Sequence, residues 1–287
     1  MPLTYAVEFY NLWLPELHPQ ASLRQHASYQ YHKGQLSANL LDVVITPYRV
    51  PLFQADTRAL FGHRAHLQVQ DLDGRQYHPE SLYVQAWNAH DVVFLDRFLR
   101  TLHALNHIQH RLDESQPVVM DVHLRHLAAV SEHHGEVFDE LLMRLGLSPE
   151  HIILRLNGRS LQGDCHVQQA ARNFASRGYR LLAARPEIIS GDWEVLQRLD
   201  LDWISIHLSD LRQRIFPRRL NESRHPPPTN DHGIRLWIEG VNSAEALHSA
   251  LWLNADVIEE DIFSDEDLDW HLPKPRQHSI MQRQWQV

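Results

Sequence analysis

The chain has 287 residues, 43% of them hydrophobic and 22% charged, with a formal net charge of −9. This length fits one large domain with a sizeable core, and the acidic balance excludes a general nucleic-acid binder with a basic face. Cys165 is the single cysteine, which excludes an internal disulfide framework and fits a reducing, cytoplasmic setting. No apolar run approaches the roughly 20 residues that span a bilayer. Glu8, Asn11 and Glu16 interrupt the first apolar stretch, so no signal peptide is expected there.

In chain order, residues 1–42 carry aromatic and apolar side chains (Tyr5, Phe9, Tyr10, Trp13, Leu14) and read as a helical extension packed on the rest of the chain. From residue 43 strand-like and helix-like segments alternate. Residues 43–45 and 60–69 are β-branched or alternating and predict strands. Residues 79–89 and 92–108 predict helices, the second with a stripe of Leu95, Phe98, Leu99, Leu102 and Leu105. Strands are then predicted at 118–122, 152–156, 181–184, 203–207, 234–238 and 257–258. Helices fall between them at 135–145, 167–177, 193–199 and 243–251, with Gly178 and Ser243 as caps. Short strands separated by helices imply an α/β fold with a largely parallel sheet, and the count approaches a closed (β/α)8 barrel. The boundaries are an extension at 1–42, a barrel at 43–272 and a tail at 273–287. Residues 217–232, with Pro226, Pro227 and Pro228, predict an exposed loop, and the acidic run 264–269 a solvated helix start capped by Ser264.

The 22 histidines invite a metal reading, with His123 and His126 at i,i+3 and His133 and His134 beyond. No Glu or Cys completes a ligand set, so no metal is expected. Asp164, Cys165 and His166 are adjacent, but neighbours in sequence rarely face one another, and the cysteine reads as an inert small hydrophobe.

Six segments in order carry a resemblance. These are YRVPLFQADTRALFGHRAHLQV (48–69), PESLYVQAWNAHDVVFLDRFL (79–99), VVMDVHLRHL (118–127), LSPEHIILRLNG (147–158), RGYRLLAARPEIISGDWEVLQRLDLDWISIHLSDL (177–211) and LWIEGVNSAEAL (236–247). Together they resemble the EAL domains, the cyclic di-GMP phosphodiesterase family. Pro51 and Gly62 match the opening Tyr-Gln-Pro-Ile…Gly-x-Glu-Ala-Leu-Leu-Arg pattern without a gap.

The resemblance implies a TIM-like barrel whose site lies at the carboxyl ends of the strands, where acids and an Asn hold two divalent cations that activate water. Position by position, that set is nearly gone. The Glu of Glu-Ala-Leu is Arg64 and its Leu is His66. The Asn is Asp121. The Leu-Glu-Ile Glu is Arg155, and the Glu three residues on is Gly158. The paired Asp residues are Ala184 and Arg185, and the Lys and Asp of Lys-Ile-Asp are Ser205 and His207. In the last motif Glu239 survives, the second Glu is Asn242, and the late Gln-Gly appears as Glu259 and Glu260. A hard dication wants several oxygen ligands. At about 4 Å, unit charges in a partly buried site interact by roughly 4 kcal/mol, and a dication beside one guanidinium would feel about twice that repulsion.

These positions lead to a degenerate site with no catalytic residues, no metal and no cofactor. Arg64 and Arg155 are expected to pair with Asp121 and Glu239 in the cations' place. The function implied is that of a non-enzymatic bacterial regulator that binds a protein partner, in motility, biofilm or transcription control. Trp237, Trp252, Trp270 and Trp285 supply candidate anchors, Trp237 and Trp252 reading as core. Cyclic di-GMP binding is disfavoured, since the Arg of Leu-Leu-Arg is Gln68 and the Gln before Pro51 is Val50. The alternative is a metal-independent cyclic di-GMP or nucleotide receptor using Arg64, Arg155 and Arg185 as forked donors. A homodimer is left open, although the prolines at 217–228 interrupt the region the family dimerises through.

Overall fold

The computed structural model describes residues 3–110, 116–130, 135–187, 192–210 and 233–260. The loop expected at 217–232, the acidic run at 264–269, the tail at 273–287, and His133, His134, Trp270 and Trp285 lie outside them.

Eight strands close a ring, and a short β5 (Gln76–Tyr77) pairs with the far end of one of them outside it. The eight are β3 (Val43–Gln54), β4 (Leu60–Asp71), β6 (Val118–Asp121), β7 (Ile152–Asn157), β8 (Arg180–Ala184), β9 (Trp203–His207), β10 (Arg235–Glu239) and β11 (Val257–Glu259), each paired with the next and β11 with β3. From β4 through β11 the pairs are parallel, whereas β3 runs antiparallel to both its neighbours.

β3 also tolerates two prolines, and the hydrogen-bond parity explains why. Gln54 N–H donates to Ala59 and Ala55 N–H to Asp256, so odd-numbered residues of this strand aim their N–H away from β4. On that edge positions 43–45 pair with a preceding strand and 52–54 with β11, leaving 46–51 without a partner strand. Pro47 and Pro51 fall in that gap, where a missing donor costs no ladder bond.

The extension is more than helix. α1 (Leu3–Leu17) is followed by a hairpin, β1 (Ala27–His32) and β2 (Gln35–Leu40), that pairs onto the start of β3. Its turn, Lys33-Gly34, holds both residues at positive φ (48° and 83°), the geometry that matches hairpin twist and that glycine adopts without strain. α1 buries Ala6, Val7, Tyr10, Leu14 and Leu17, and Tyr29 on β1 donates through its hydroxyl to the Phe98 carbonyl 3.0 Å away. Most of the helix expected at 79–89 is irregular; only α2 (Ser81–Val84) is helical. The long helix after it is α3 (Ala89–His110). Further helices α4 (Leu124–Ala129), α5 (Glu136–Arg144), α6 (Gly158–Gly163), α7 (Cys165–Ser176), α8 (Trp193–Gln197) and α9 (Ala244–Trp252) separate the later strands.

Side chains alternate across a strand, and here the alternation builds two cores. Outward residues such as Met120, Leu154, Leu181, Ile204 and Ile238 pack in one cluster with Phe98, Phe138 and Phe174 of the helices. Inward, nearly every strand contributes one residue to a dry plug of Leu52, Val119, Ile153, Leu182, Trp203, Trp237 and Val257, with Phe61 against it. Trp237 is core as expected, but Trp252 is 65% exposed on α9. It occupies a helix position that faces away from the barrel, which corrects its assignment as a packing residue. Among the described residues no helix is long and apolar enough to cross a membrane.

Candidate functional site: the charged mouth of the barrel

Two residues beyond the apolar plug, on the same inward faces, four of the six parallel strands that supply it switch to a charged side chain. Val119 is followed by Asp121, Ile153 by Arg155, Leu182 by Ala184, Trp203 by Ser205, Trp237 by Glu239 and Val257 by Glu259. Antiparallel β3 and the neighbouring β4 complete the layer with Val50 and Arg64. The strand period of two thus assembles one polar layer at the carboxyl ends of the parallel strands.

Within it three guanidiniums and three carboxylates alternate. Trp237 Nε1 donates to Glu259 Oε2 at 3.2 Å, and Arg64 Nη1 to Glu259 Oε1 at 2.9 Å. Arg64 Nη2 reaches Asp121 Oδ2 at 3.1 Å, and Arg155 Nη1 reaches Asp121 Oδ1 at 2.8 Å. Arg155 Nη2 donates to Glu239 Oε1 at 2.9 Å, where the Ser205 hydroxyl also donates at 2.6 Å. Arg185 closes the chain, its Nε 2.7 Å and its Nη2 2.6 Å from Glu239 Oε2. Glu239 is buried, with 2% of its side chain exposed, whereas Asp121 and Arg185 sit half-exposed at the rim.

The expected pairing of Arg64 and Arg155 with Asp121 and Glu239 is present at three contacts, with two differences. Arg64 spends one nitrogen on Glu259 and does not bond Glu239. Arg185, named as an anion donor only in the alternative receptor reading, holds Glu239.

The position of Arg185 follows from its neighbours. A Cβ on Gly158 would stand 2.6 Å from the Pro186 nitrogen and 2.7 Å from the Ala184 carbonyl oxygen. The missing side chain at 158 lets the loop after β8 settle onto the tip of β7. Arg185 takes φ 46° there, and its N–H donates to the Ser205 carbonyl at 2.9 Å. That turn aims the guanidinium back into the mouth.

The electrostatics are those of a neutralised network. Burial raises the Asp121 carboxyl, but Arg64 and Arg155 more than reverse it and hold it well below the usual range. Burial likewise opposes ionisation of Glu239, and Arg155, Arg64 and Arg185 overcome it. Glu259 goes the other way: burial, reinforced by the nearby Glu239 charge, leaves its carboxyl raised despite Arg64. Burial lowers Arg64, and Asp121 and Glu259 raise it well above its ordinary value.

Beneath the rim lies a cavity of about 590 Å³, lined in part by Tyr48, Val50, His66 and Ala184 and by Arg64, Asp121, Arg155, Arg185 and Glu259 of the ionic network. Its far wall is a second charged group on α3, centred on Asp96 within the 79–99 segment. Asp96 pairs with Arg100 one turn on, and accepts from the Tyr83 hydroxyl (3.4 Å) and the His123 N–H (3.3 Å). Arg100 also lies 3.3 Å from His126 Nε2, with its guanidinium carbon 4.5 Å from the Phe138 ring centroid. A charge four residues from another on a helix otherwise rich in Leu and Phe is the signal that could have found it. His66 and His103 line the same cavity, and burial, helped for His66 by Arg64, pushes them down to about 3 and about 4.

Other sequence candidates fall elsewhere. His207 Nδ1 sits 2.6 Å from Ser209 Oγ and accepts from the Ser209 N–H, a helix-start role outside the ionic layer. Asn242 is exposed in the turn after β10, and Gln68 is exposed on β4. His123 stacks on Tyr83 (centroids 3.6 Å apart) and meets Glu80 at 2.8 Å, while His126 turns inward to Arg100, so the two do not converge. Asp164 caps α7 by accepting from the His166 N–H, His166 Nε2 lies 2.7 Å from the Leu127 carbonyl, and Cys165 is exposed.

The donor set does not fit a pair of divalent cations. Asp121 and Glu239 already accept from guanidiniums on both oxygens, and Arg64 and Arg155 bring positive charge into the same layer. Among the described residues no group of three or more His, Cys, Asp or Glu is placed to hold a metal ion.

No protein-family model matches the chain, and no curated protein sequence does. Solved structures do. The EAL enzyme Bd1971, in its cGMP-bound form, is 13% identical, with a TM-score of 0.59 over 79% of this chain and 63% of its own. The chain therefore spans less than two thirds of that protein. Klebsiella pneumoniae BlrP1, in a manganese and cyclic di-GMP complex, is 14% identical with a TM-score of 0.62 over 83% of this chain and 57% of BlrP1. A standalone EAL protein from Vibrio cholerae O395, bound to cyclic di-GMP, is 15% identical with a TM-score of 0.57 over 77% and 91%. This polypeptide has the EAL-type (β/α)8 barrel fold, with its ionic layer at the carboxyl ends of the parallel strands.

Proposed function

We propose that this chain is a non-hydrolysing EAL-like barrel in the cytoplasm that acts as a regulator by contacting a protein partner. One observation carries the reading: the guanidiniums of Arg64, Arg155 and Arg185 lie on Asp121, Glu239 and Glu259, at positions where the resemblance implies cation ligands. Water activation between two metals needs oxygen ligands free to bind them. Here the acids are engaged, and a dication at Glu239 would have to displace both Arg155 and Arg185 and strand the largely buried Arg155 guanidinium beside a second positive charge, which costs several kcal/mol. The decisive experiment incubates the purified chain with cyclic di-GMP and either magnesium or manganese. No linear dinucleotide is expected above a buffer control; its formation at an enzyme-dependent rate overturns the reading.

The cavity favours a second reading, a metal-independent receptor for cyclic di-GMP or another nucleotide. Its 590 Å³ lies within the usual range for small-ligand pockets, and Arg185 is half-exposed at its rim. The ionic layer weighs against it, because three acids compete with any phosphate for the three arginines. Calorimetric titration without metal separates the two: heat on adding cyclic di-GMP supports the receptor, and a flat trace supports the protein-contact reading.

A further inference from the structure

The outer face of α1 is unlike that of a solvated helix. A surface helix normally shows one apolar stripe inward and polar residues outward. α1 buries Ala6, Val7, Tyr10, Leu14 and Leu17, yet it also exposes Tyr5 (63%), Phe9 and Leu12 (84%). These three stand at i, i+4 and i+7, so they share one face.

That face continues onto α5. The Tyr10 hydroxyl donates to the Leu141 carbonyl at 3.0 Å, and the Arg144 guanidinium lies 5.8 Å from the Phe9 ring and 5.4 Å from Trp13. Met143, beside Arg144, is 76% exposed. Around these apolar groups the rim is acidic: Glu8 and Glu16 on α1, Glu136 and Glu140 on α5, all exposed. The one cation on the two helices, Arg144, is taken by Glu140 at 2.6 Å. None of these residues lines the mouth cavity.

We propose that the outer face of α1 and α5 docks a basic amphipathic helix of a partner protein, with the partner's apolar stripe on Tyr5, Phe9, Leu12 and Met143 and its Lys or Arg residues against the acidic rim. The inference rests on the reading that the chain acts by protein contact, and it assigns that contact a surface and a chemistry. Helix-in-groove recognition uses apolar anchors at this spacing, and complementary rim charge sets choice of partner. A second copy of the same face would bring glutamates onto glutamates, and an anionic membrane would be repelled in the same way.

The probe is a fluorescein-labelled 18-residue peptide of Leu and Lys with Leu at helical spacing. Its controls are a scrambled isomer without a face and a version with Glu for every Lys. Anisotropy with the full chain is expected to show micromolar binding of the first peptide only. Leu12→Glu, at a position too exposed to disturb the fold, should weaken it at least 10-fold. The double change Glu8→Lys with Glu16→Lys should weaken it at least fivefold and favour the Glu peptide; unchanged thermal melts confirm both variants are folded. Equal binding of the scrambled peptide, no binding at all, or unchanged affinity in both variants overturns the proposal. So does a wild-type dimer in sedimentation velocity that Leu12→Glu converts to monomer, since the occupant is then a second copy. These outcomes leave the non-hydrolysing reading standing, which falls separately if linear dinucleotide forms.

Discussion

The two ends of the barrel close with the same kind of residue in different settings. At the amino end, Arg180 and Arg235 flank Trp203 with guanidinium carbons 4.3 Å and 4.0 Å from its ring centroid, and share Asp202 at 3.5 Å and 3.4 Å. All three charged groups are partly solvated, so those pairs contribute little, on the order of 1 kcal/mol or less each. At the carboxyl end, Arg64, Arg155, Glu239 and Glu259 are largely buried, and every charge has a partner. A buried network of this kind is costly to break at one member. The contrast teaches that an ion pair counts through what is stranded when one partner goes.

The largest expected effect tests that point at Glu239, which receives Arg155, Arg185 and Ser205. Glu239→Gln should cost about 3–5 kcal/mol, read from urea denaturation midpoints, because two guanidiniums lose their shared charge. A loss under about 1 kcal/mol, the scale of a solvated pair, would mean that water reaches the mouth and the two ends are alike.

Acid comes next. His66 and His103 are neutral when folded, at about 3 and about 4, and near 6.5 when unfolded. Their folded values are depressed, so the unfolded chain binds protons first and stability falls as pH drops below about 6.5. For His103 alone the loss approaches about 3 kcal/mol by pH 4. Glu259, raised, binds its proton first when folded and so offsets part of that loss above about pH 4.5; below pH 4 the depressed carboxyls of Asp121 and Glu239 extend the decline. His103→Gln should flatten the segment between pH 6.5 and 4 in a melt series; an unchanged slope would place the titration elsewhere.

Arg155→Met is expected to be milder, about 2 kcal/mol, by the scale of hydrogen bonds to charged groups. Glu239 keeps Arg185 and Ser205, Asp121 keeps Arg64, and the apolar stem still fills the layer. Smallest is Asp202→Asn at the amino end. It should shift the urea midpoint by less than about 1 kcal/mol, since an amide oxygen can still accept from the Leu181 N–H that Asp202 binds at 3.0 Å. A larger loss there than at Arg155 would invert the comparison.

Much of the barrel is readable from sequence because its strands are short, apolar and regularly separated, and because motif order survives even where motif residues do not. The ionic layer is half readable. Arg64, Asp121, Arg155, Arg185, Glu239 and Glu259 are all found by position through the resemblance, whereas the partners of Arg185 and Glu259 are not. The contact of Arg185 with Glu239 escapes because its aim depends on a positive φ and on space left by Gly158, neither of which a residue type reveals. The Asp96–Arg100 pair is hidden because charges on an amphipathic helix usually face water. The β1–β2 hairpin leaves a trace, since Lys33-Gly34 lies between alternating runs, but the aromatic and apolar residues at 5–14 favour a helical extension.

One strand ties these regions together. β3 gives its first residues to the β2 hairpin and its last to β11, so the extension and the barrel share one backbone ribbon. Cutting the chain before residue 43 would strip Val43, Val44 and Ile45 of their neighbour and bare a sticky edge. A truncated protein would therefore report on clumping before it reported on recognition, which makes single exposed side chains on α1 the cleaner place to intervene.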